Sequence, residues 1–130
     1  MKSAWRSRRW TRGHLLFINK GCIVCHAVNG VGGDVGPALN ASDMPSPMNV
    51  FEFAARMWKG APAMVAMQQE ELGDVIQLTG QNLADIIAFV HDGEMQKTVA
   101  IDQVPKRWKK SWRGEVSLLT LDRGDSNQRP

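Results

Sequence analysis

The chain has 130 residues, of which 43% are apolar and 22% are charged, and its net charge is +3. This length is typical of one folded domain, and this composition is typical of a globular rather than a disordered protein. No run approaches the roughly 18 consecutive apolar residues of a transmembrane helix, and no repeat indicates a coiled coil, a solenoid or collagen.

The charges are distributed unevenly along the chain. Residues 1–14 and 105–113 each contain five bases and no acid, whereas residues 15–104 contain four bases and ten acids. An acidic centre therefore lies between two basic ends. In a nucleic-acid-binding domain the basic charge is expected on the folded domain itself, so nucleic acid is not an expected partner.

The first predicted element is a helix over 11–20, in which Gly13 and Phe17 share a face because they lie four residues apart. Gly21 is expected to break this helix, since glycine readily leaves the helical conformation. A loop rich in turn-forming residues is predicted over 29–37.

The only two cysteines of the chain lie between this helix and this loop. Cys22 and Cys25 are three residues apart, and His26 follows directly. Such a C-x-x-C-H run is the attachment motif of c-type haem. The spacing lets both thiols reach neighbouring haem vinyl groups from one turn of chain, and the histidine then lies under the iron as an axial ligand. The motif therefore predicts one covalently attached haem c.

Other uses of a C-x-x-C pair fit the sequence less well. A thioredoxin-like pair belongs to a βαβ unit, and no β-rich run precedes Cys22. A zinc site needs further ligands, but His14 and His91 lack the spacing of a zinc motif, and both are expected on helix surfaces. A disulfide between Cys22 and Cys25 would close a loop too small to stabilise much.

The Ser46-Pro47 pair predicts the start of a second helix, because serine is a favoured N-cap and proline a favoured first residue. Gly60 and Pro62 are expected to end that helix, and residues 63–72 to form another short one. The apolar face of the second helix repeats at helical spacing and consists of Phe51, Ala54, Ala55 and Trp58.

The strongest helical pattern covers residues 80–92. Phe89 extends its apolar face, and Gly93 is expected to cap its end. No clear strand pattern occurs, although 116–121 is a short ambiguous run. The predicted fold class is therefore all-α, with short helices joined by loops. The apolar face of the 80–92 helix consists of Leu83, Ile86, Ile87 and Val90.

Over residues 12–92 the chain resembles the class I cytochromes c, which are small single-haem electron carriers. In that family the N-terminal helix crosses the C-terminal helix at a small residue, so the resemblance implies that Gly13 packs against the 83–90 helix. It also implies that the carbonyl of Pro37 accepts a hydrogen bond from His26, which fixes the tautomer of the ligand. The resemblance is carried by Gly13, Phe17, the motif at 22–26, the Gly36-Pro37-Ala38-Leu39 run, Ile86 and Phe89.

The second axial ligand is expected to be a methionine, because a thioether opposite a histidine raises the reduction potential and suits an electron carrier. The stretch 58–64 resembles one that is common in bacterial members of the family, which implies Met64 as the ligand, with Met67 as the alternative one helical turn further on. Trp58 is either a donor to a haem propionate or a core residue. The candidate methionines are Met44, Met48, Met57, Met64 and Met67.

The resemblance divides the chain into three expected segments: a basic, tryptophan-containing arm over 1–11, the haem domain over 12–93, and an extension over 94–130. The extension contains a second basic, tryptophan-containing segment, 104–113, and ends in residues expected to be disordered. The two arms either fold back on the acidic centre, with their tryptophan rings on apolar surface, or dock to an acidic partner or anionic lipid.

We therefore expect an electron carrier rather than an enzyme, because axial ligation by His26 and Met64 leaves no open position for a substrate. Its partners would be a redox donor and acceptor, as in a respiratory chain. The alternatives are a haem subunit held by its arms in a larger oxidoreductase, and a five-coordinate haem that binds a gas or peroxide. The family implies a periplasmic location, although no export signal is predicted in this chain.

Overall fold

The structure, a computed structural model, describes residues 4–109, with side chains described for 11–108. This part of the chain contains two 3₁₀ turns, Ala41–Asp43 and Ile101–Gln103, and no strand, so the all-α fold class is confirmed. Within the same range, no helix combines the length and the hydropathy needed to cross a membrane. The helices are α1 (Ala4–Asn19), α2 (Cys22–Cys25), α3 (Val50–Leu72), α4 (Gly80–Val90), α5 (Gly93–Gln96) and α6 (Lys106–Lys109).

Helices α1 and α4 cross at Gly13, as the resemblance implies. A Cβ atom at this position would overlap the backbone oxygen of Asp85 and lie 2.9 Å from the Cβ of Phe89. The rings of Phe17 and Phe89 pack beside the crossing with centroids 5.3 Å apart, and both are fully buried. Glycine is therefore required by the close approach of the two backbones.

The described part of the extension packs on the core instead of leaving it. Val99 and Val104 are buried members of the hydrophobic core, and Trp108 packs against it. Trp108 thus covers apolar surface, which agrees with a folded-back C-terminal segment as far as residue 108. The rest of the basic segment, the ambiguous run 116–121 and the C-terminal residues lie outside the described part of the chain, as do the side chains of residues 1–10.

Helix α1 is longer than predicted, because it begins at Ala4 and not at residue 11. No glycine or proline precedes Gly13, and arginine, the most frequent residue of this segment, is a good helix former. The helix therefore continues through most of the segment predicted as an arm.

The predicted boundaries of the second helix are wrong at both ends. Its N-cap is Asn49 and not Ser46, because the Asn49 side chain accepts hydrogen bonds from the backbone N–H groups of Phe51 and Glu52. Neither Gly60 nor Pro62 ends it, and α3 runs on to Leu72. The proline removes one backbone hydrogen bond, but the half-buried face continues across it, and tertiary packing outweighs the local preference for a break.

The end of α4 also differs from the prediction. The helix stops at Val90, and Gly93 begins α5 where it was expected to cap α4. The carboxylate of Asp92 accepts hydrogen bonds from the backbone N–H groups of Glu94 and Met95. This N-cap starts a new helical turn directly after α4.

His14 was expected on the surface but is only 8% exposed. Its ring stacks on Phe89 with centroids 5.5 Å apart, and Nε2 lies 3.1 Å from Oε1 of Gln103. The extension therefore provides the polar partner that makes burial of this imidazole favourable. His91 is half-buried, and its Nδ1 donates to the backbone oxygen of Ile87 over 2.8 Å.

Candidate functional site

The C-x-x-C-H motif forms a single helical turn directly after α1. Gly21 follows the end of α1, as the sequence predicts, and adopts the left-handed conformation with φ of 99°. Ile23 and Val24 of α2 are buried and anchor the turn in the core, whereas Cys22 and Cys25 are half-buried free thiols. Because the two cysteines are three residues apart on one turn, their thiols share a face of α2.

The surroundings of the two thiols disfavour a redox-active pair. Burial raises the pKa of the Cys22 thiol to about 12. Burial, and then the negative charge of Glu71, also raise the pKa of Cys25. A catalytic C-x-x-C pair instead needs a cysteine with a lowered pKa, since the thiolate is the nucleophile. Before haem attachment, the raised pKa values keep both cysteines as thiols rather than thiolates at neutral pH, and this weakens the alternative of a thiol–disulfide protein.

His26 is held in one orientation by the loop that follows the motif. Its Nδ1 lies 2.7 Å from the backbone oxygen of Pro37, so the predicted hydrogen bond is present. Because a carbonyl can only accept, Nδ1 carries the proton and Nε2 keeps a free lone pair in the neutral ring. The site thus presents an imidazole nitrogen in the protonation state that a metal requires.

Gly36 lies directly against the ring of His26. A Cβ atom at residue 36 would lie 2.5 Å from Cε1 of the imidazole. The backbone N–H of Gly36 donates to the oxygen of Cys25 over 2.7 Å, and that of Leu39 donates to Ala27 over 2.9 Å. Gly36 was predicted only as a member of the Gly36-Pro37-Ala38-Leu39 run, and its immediate neighbour Pro37 was the available signal for this packing role.

The methionines differ in their surroundings. Met44 packs against the hydrophobic core, and Met48 is exposed. Met57, Met64 and Met67 are half-buried on the inner face of α3. Half-burial therefore does not distinguish Met64 from Met67, and Met64 remains the residue that the 58–64 stretch favours.

Trp58 lies on the outer face of α3 and is 81% exposed, so the interpretation of Trp58 as a core residue is wrong. Its role as a donor to a haem propionate stays a prediction. Phe51 and Val65, seven residues before and after it, are also exposed. Glu52 and Arg56, which lie four residues apart on the same helix, form an ion pair of 2.9 Å.

The donor set suits haem c better than a bare metal ion. Two thiols share one turn, the adjacent imidazole has a free Nε2, and thioethers are available on α3. Within the described residues, no group of three or more His, Cys, Asp or Glu side chains is arranged to hold a metal ion. The residues present therefore fit a porphyrin that brings its own equatorial ligands to the iron.

Comparison with known proteins gives the same answer. The Cytochrome c family profile matches residues 10–94, which is more than half of the chain. No significant match was found among curated proteins or among solved structures. The chain belongs to the cytochrome c family, so the predicted resemblance is confirmed.

Membership of this family establishes the cofactor and the general activity. The cofactor is covalently attached haem c with its iron, and the chain is an electron-transfer haem protein. The family indicates an electron carrier rather than an enzyme. The family match ends at residue 94, whereas the packed body continues through Trp108, so residues 95–108 are an addition that lies against the core.

Proposed function

We propose that the chain is a one-electron carrier with a single haem c, attached through Cys22 and Cys25 and ligated by His26 and Met64. One observation carries the proposal. The ring of His26 is fixed by the carbonyl of Pro37 next to two free thiols on one helical turn. That arrangement combines the two attachment points and the oriented ligand that haem c needs.

The protein would keep both axial ligands in place while the iron changes charge. When bound, the haem supplies an iron that accepts and releases one electron. His26 is restrained by Pro37 and Gly36, and α2 is anchored by its buried residues Ile23 and Val24. This restraint supports fast electron transfer, because little of the structure has to rearrange at each step.

A pyridine haemochrome spectrum tests the attachment. The full chain is produced in a host that attaches haem, denatured, and extracted with acidified organic solvent. We expect a c-type spectrum that stays with the polypeptide, because thioether bonds survive extraction. In a Cys22→Ala, Cys25→Ala double variant the haem should be extracted. Haem that washes out of the unaltered chain would contradict the proposal.

A second pair of variants tests the distal ligand. Met64→Ala should abolish the sulfur-to-iron charge-transfer band of the ferric protein and open the sixth position to added cyanide. Met67→Ala is the matched control on the same helix and should keep the band. Loss of the band only in Met67→Ala would assign the ligand to Met67. An unchanged band in both variants would contradict ligation by either methionine.

The proposed partners are a redox donor and a redox acceptor in the bacterial periplasm, as parts of a respiratory chain. Electron carriers of this kind make small, transient contacts with their partners. The basic segment 104–113, of which Lys106 and Arg107 are exposed in the structure, is a suitable contact for an acidic protein or for anionic lipid.

One observation favours the second candidate, a haem subunit held in a larger oxidoreductase. Residues 95–108 lie beyond the family match and pack on the core, so the described part of the extension is fixed to the haem domain as far as Trp108. The test is a truncation that removes 110–130 and keeps the buried Val104 and the partly buried Trp108 in place. Loss of association with a native complex would support the tether, and unchanged association would contradict it.

A further inference from the structure

One buried side chain on α3 has an unused hydrogen-bond donor. Gln68 is only 7% exposed, and its Oε1 accepts a hydrogen bond from the backbone N–H of Ile76 over 2.9 Å. Among the described residues, its Nε2 has no hydrogen-bond partner. Because a backbone N–H can only donate, the oxygen of the amide must face Ile76, and the assignment of the two amide atoms is fixed.

A second buried glutamine, Gln96, has hydrogen-bond partners for both atoms of its side-chain amide. Gln96 is 2% exposed, and its Oε1 accepts from the backbone N–H of Ala41 over 2.8 Å. Its Nε2 donates to the backbone oxygen of Leu39 over 2.9 Å. Buried polar groups in proteins are almost always paired, so the unused donor of Gln68 calls for a partner that the polypeptide of the described range does not provide.

The position of Gln68 points to that partner. Gln68 follows Met64 by four residues on α3, so the two side chains are neighbours one turn apart on the same face. Met64 is half-buried. The bond from Ile76 ties the amide to the segment that follows α3 and thereby restrains the side chain.

We propose that Gln68 is a positioning residue for the distal ligand, with its Nε2–H donating a hydrogen bond to the thioether sulfur of Met64 in the haem-bound protein. The inference rests on the proposed function, in which Met64 is the axial ligand. A methionine side chain has three rotatable bonds and a weakly accepting sulfur. The amide restrains that flexible side chain and withdraws electron density from the sulfur. This withdrawal favours the reduced iron and raises the reduction potential.

The test compares Gln68→Met with the matched control Gln96→Met in the full-length haem-bound protein. Each variant replaces a buried amide by an unbranched apolar chain of similar length. We expect Gln68→Met to weaken or shift the sulfur-to-iron band. We also expect it to lower the preference for reduced over oxidised iron by about threefold to tenfold, or about 30–60 mV at 59 mV per tenfold for one electron. Gln96→Met should lower the stability against denaturant and leave band and potential unchanged.

Three results would overturn the inference. Equal effects of the two variants on band and potential would mean that loss of packing alone is responsible. If Gln68→Met changes the reduction potential but not the sulfur-to-iron band, the Nε2–H group of Gln68 donates to an acceptor other than the sulfur of Met64. An unchanged potential and band would mean that the donor is not used. If Gln68→Met does not fold, Gln68→Asn keeps the amide but shortens its reach, and the same shifts are expected.

The inference and the proposed function fail in different ways. If Met64→Ala keeps the sulfur-to-iron band, Met64 is not the ligand and the proposed function is wrong at that residue. If Met64→Ala loses the band while Gln68→Met and Gln68→Asn keep both band and potential, only the role of Gln68 is wrong.

Discussion

The proximal side of the site, residues 22–39, and the distal side, helix α3, hold their proposed ligands in different ways. On the proximal side His26 is fixed by a residue only eleven positions further along the chain, and the intervening backbone is bonded to the motif at several points. On the distal side Met64 lies on a helix of 23 residues whose outer face is exposed. Local bonds therefore hold the proposed proximal ligand, whereas the proposed distal ligand lies on a long helix with one exposed face.

The largest expected effect comes from disrupting the crossing of α1 and α4 at Gly13, directly before the proximal side. Gly13→Ala places a methyl group against the backbone of Asp85 in α4. We expect this overpacking to cost about 3 kcal/mol or more of unfolding free energy, measured by denaturant titration of the haem-bound protein.

The matched control for Gly13 lies in α3. Gly60 is also helical, but nothing lies within 4 Å of a Cβ atom at that position. Gly60→Ala should therefore stabilise the protein by about 0.5–1 kcal/mol, because alanine is the better helix former. If both substitutions had the same sign, the difference in packing between the crossing at Gly13 and helix α3 would be refuted.

The next effect is expected at the ligand itself. Gly36→Ala brings a methyl group within 2.5 Å of the His26 ring, which must then turn away from its bond to Pro37. We expect a loss of about 1–3 kcal/mol together with an altered low-spin signal of the ferric haem in electron paramagnetic resonance.

Gly80 provides the control for Gly36, because a Cβ atom there would meet nothing within 4 Å. Gly80→Ala should leave the resonance signal unchanged. An unaltered signal in Gly36→Ala would mean that the ring of His26 does not depend on the small residue beside it.

The same contrast explains how far the sequence predicts the structure. The haem motif was predicted from its residue types and spacing, whereas the crossing at Gly13 and the bond from His26 to Pro37 were predicted only through the family resemblance. The burial of His14 was missed, since its partner Gln103 lies 89 residues further along the chain. Nothing in the local pattern around Gln68 distinguishes it from a surface glutamine.

The two ends of α3 were predicted at the wrong residues for a related reason. Ser46-Pro47 and Gly60 with Pro62 are strong local signals for a start and a stop. The fold uses the better-placed Asn49 as the cap and carries the helix across Pro62. Local signals compete with one another and with packing, and the sequence alone does not rank them.

A smaller effect is expected at Pro62, where the distal side can be strengthened. In Pro62→Ala a backbone N–H becomes available to the oxygen of Trp58, one turn earlier in α3. We expect a gain of about 1–2 kcal/mol in unfolding free energy, because alanine is favoured over proline inside a helix. Thermal unfolding followed by circular dichroism measures it. A loss of stability would mean that α3 is interrupted at Pro62, as the sequence alone suggests.

The smallest effect is expected on the outer face of α3. Trp58 is 81% exposed, and substitutions of exposed residues usually change stability by less than about 0.5 kcal/mol. Trp58→Ser should therefore leave the unfolding free energy of the haem-bound protein nearly unchanged. The control is Phe53→Ala on the same helix, since Phe53 packs against the core and its truncation should cost about 2 kcal/mol.

A loss in Trp58→Ser as large as that in Phe53→Ala would contradict this expectation and show that Trp58 is covered in the haem-bound protein. The predicted hydrogen bond from its indole N–H to a haem propionate would then gain support, because such a bond requires the ring to lie beside the haem. Trp58→Phe separates the two contributions, since it keeps the apolar ring and removes the donor. A reduction potential that shifts in Trp58→Phe while the stability is retained would place the indole N–H at the propionate. An unchanged reduction potential in Trp58→Phe would mean that the indole N–H does not bond to a propionate and that the ring belongs to the outer surface of α3.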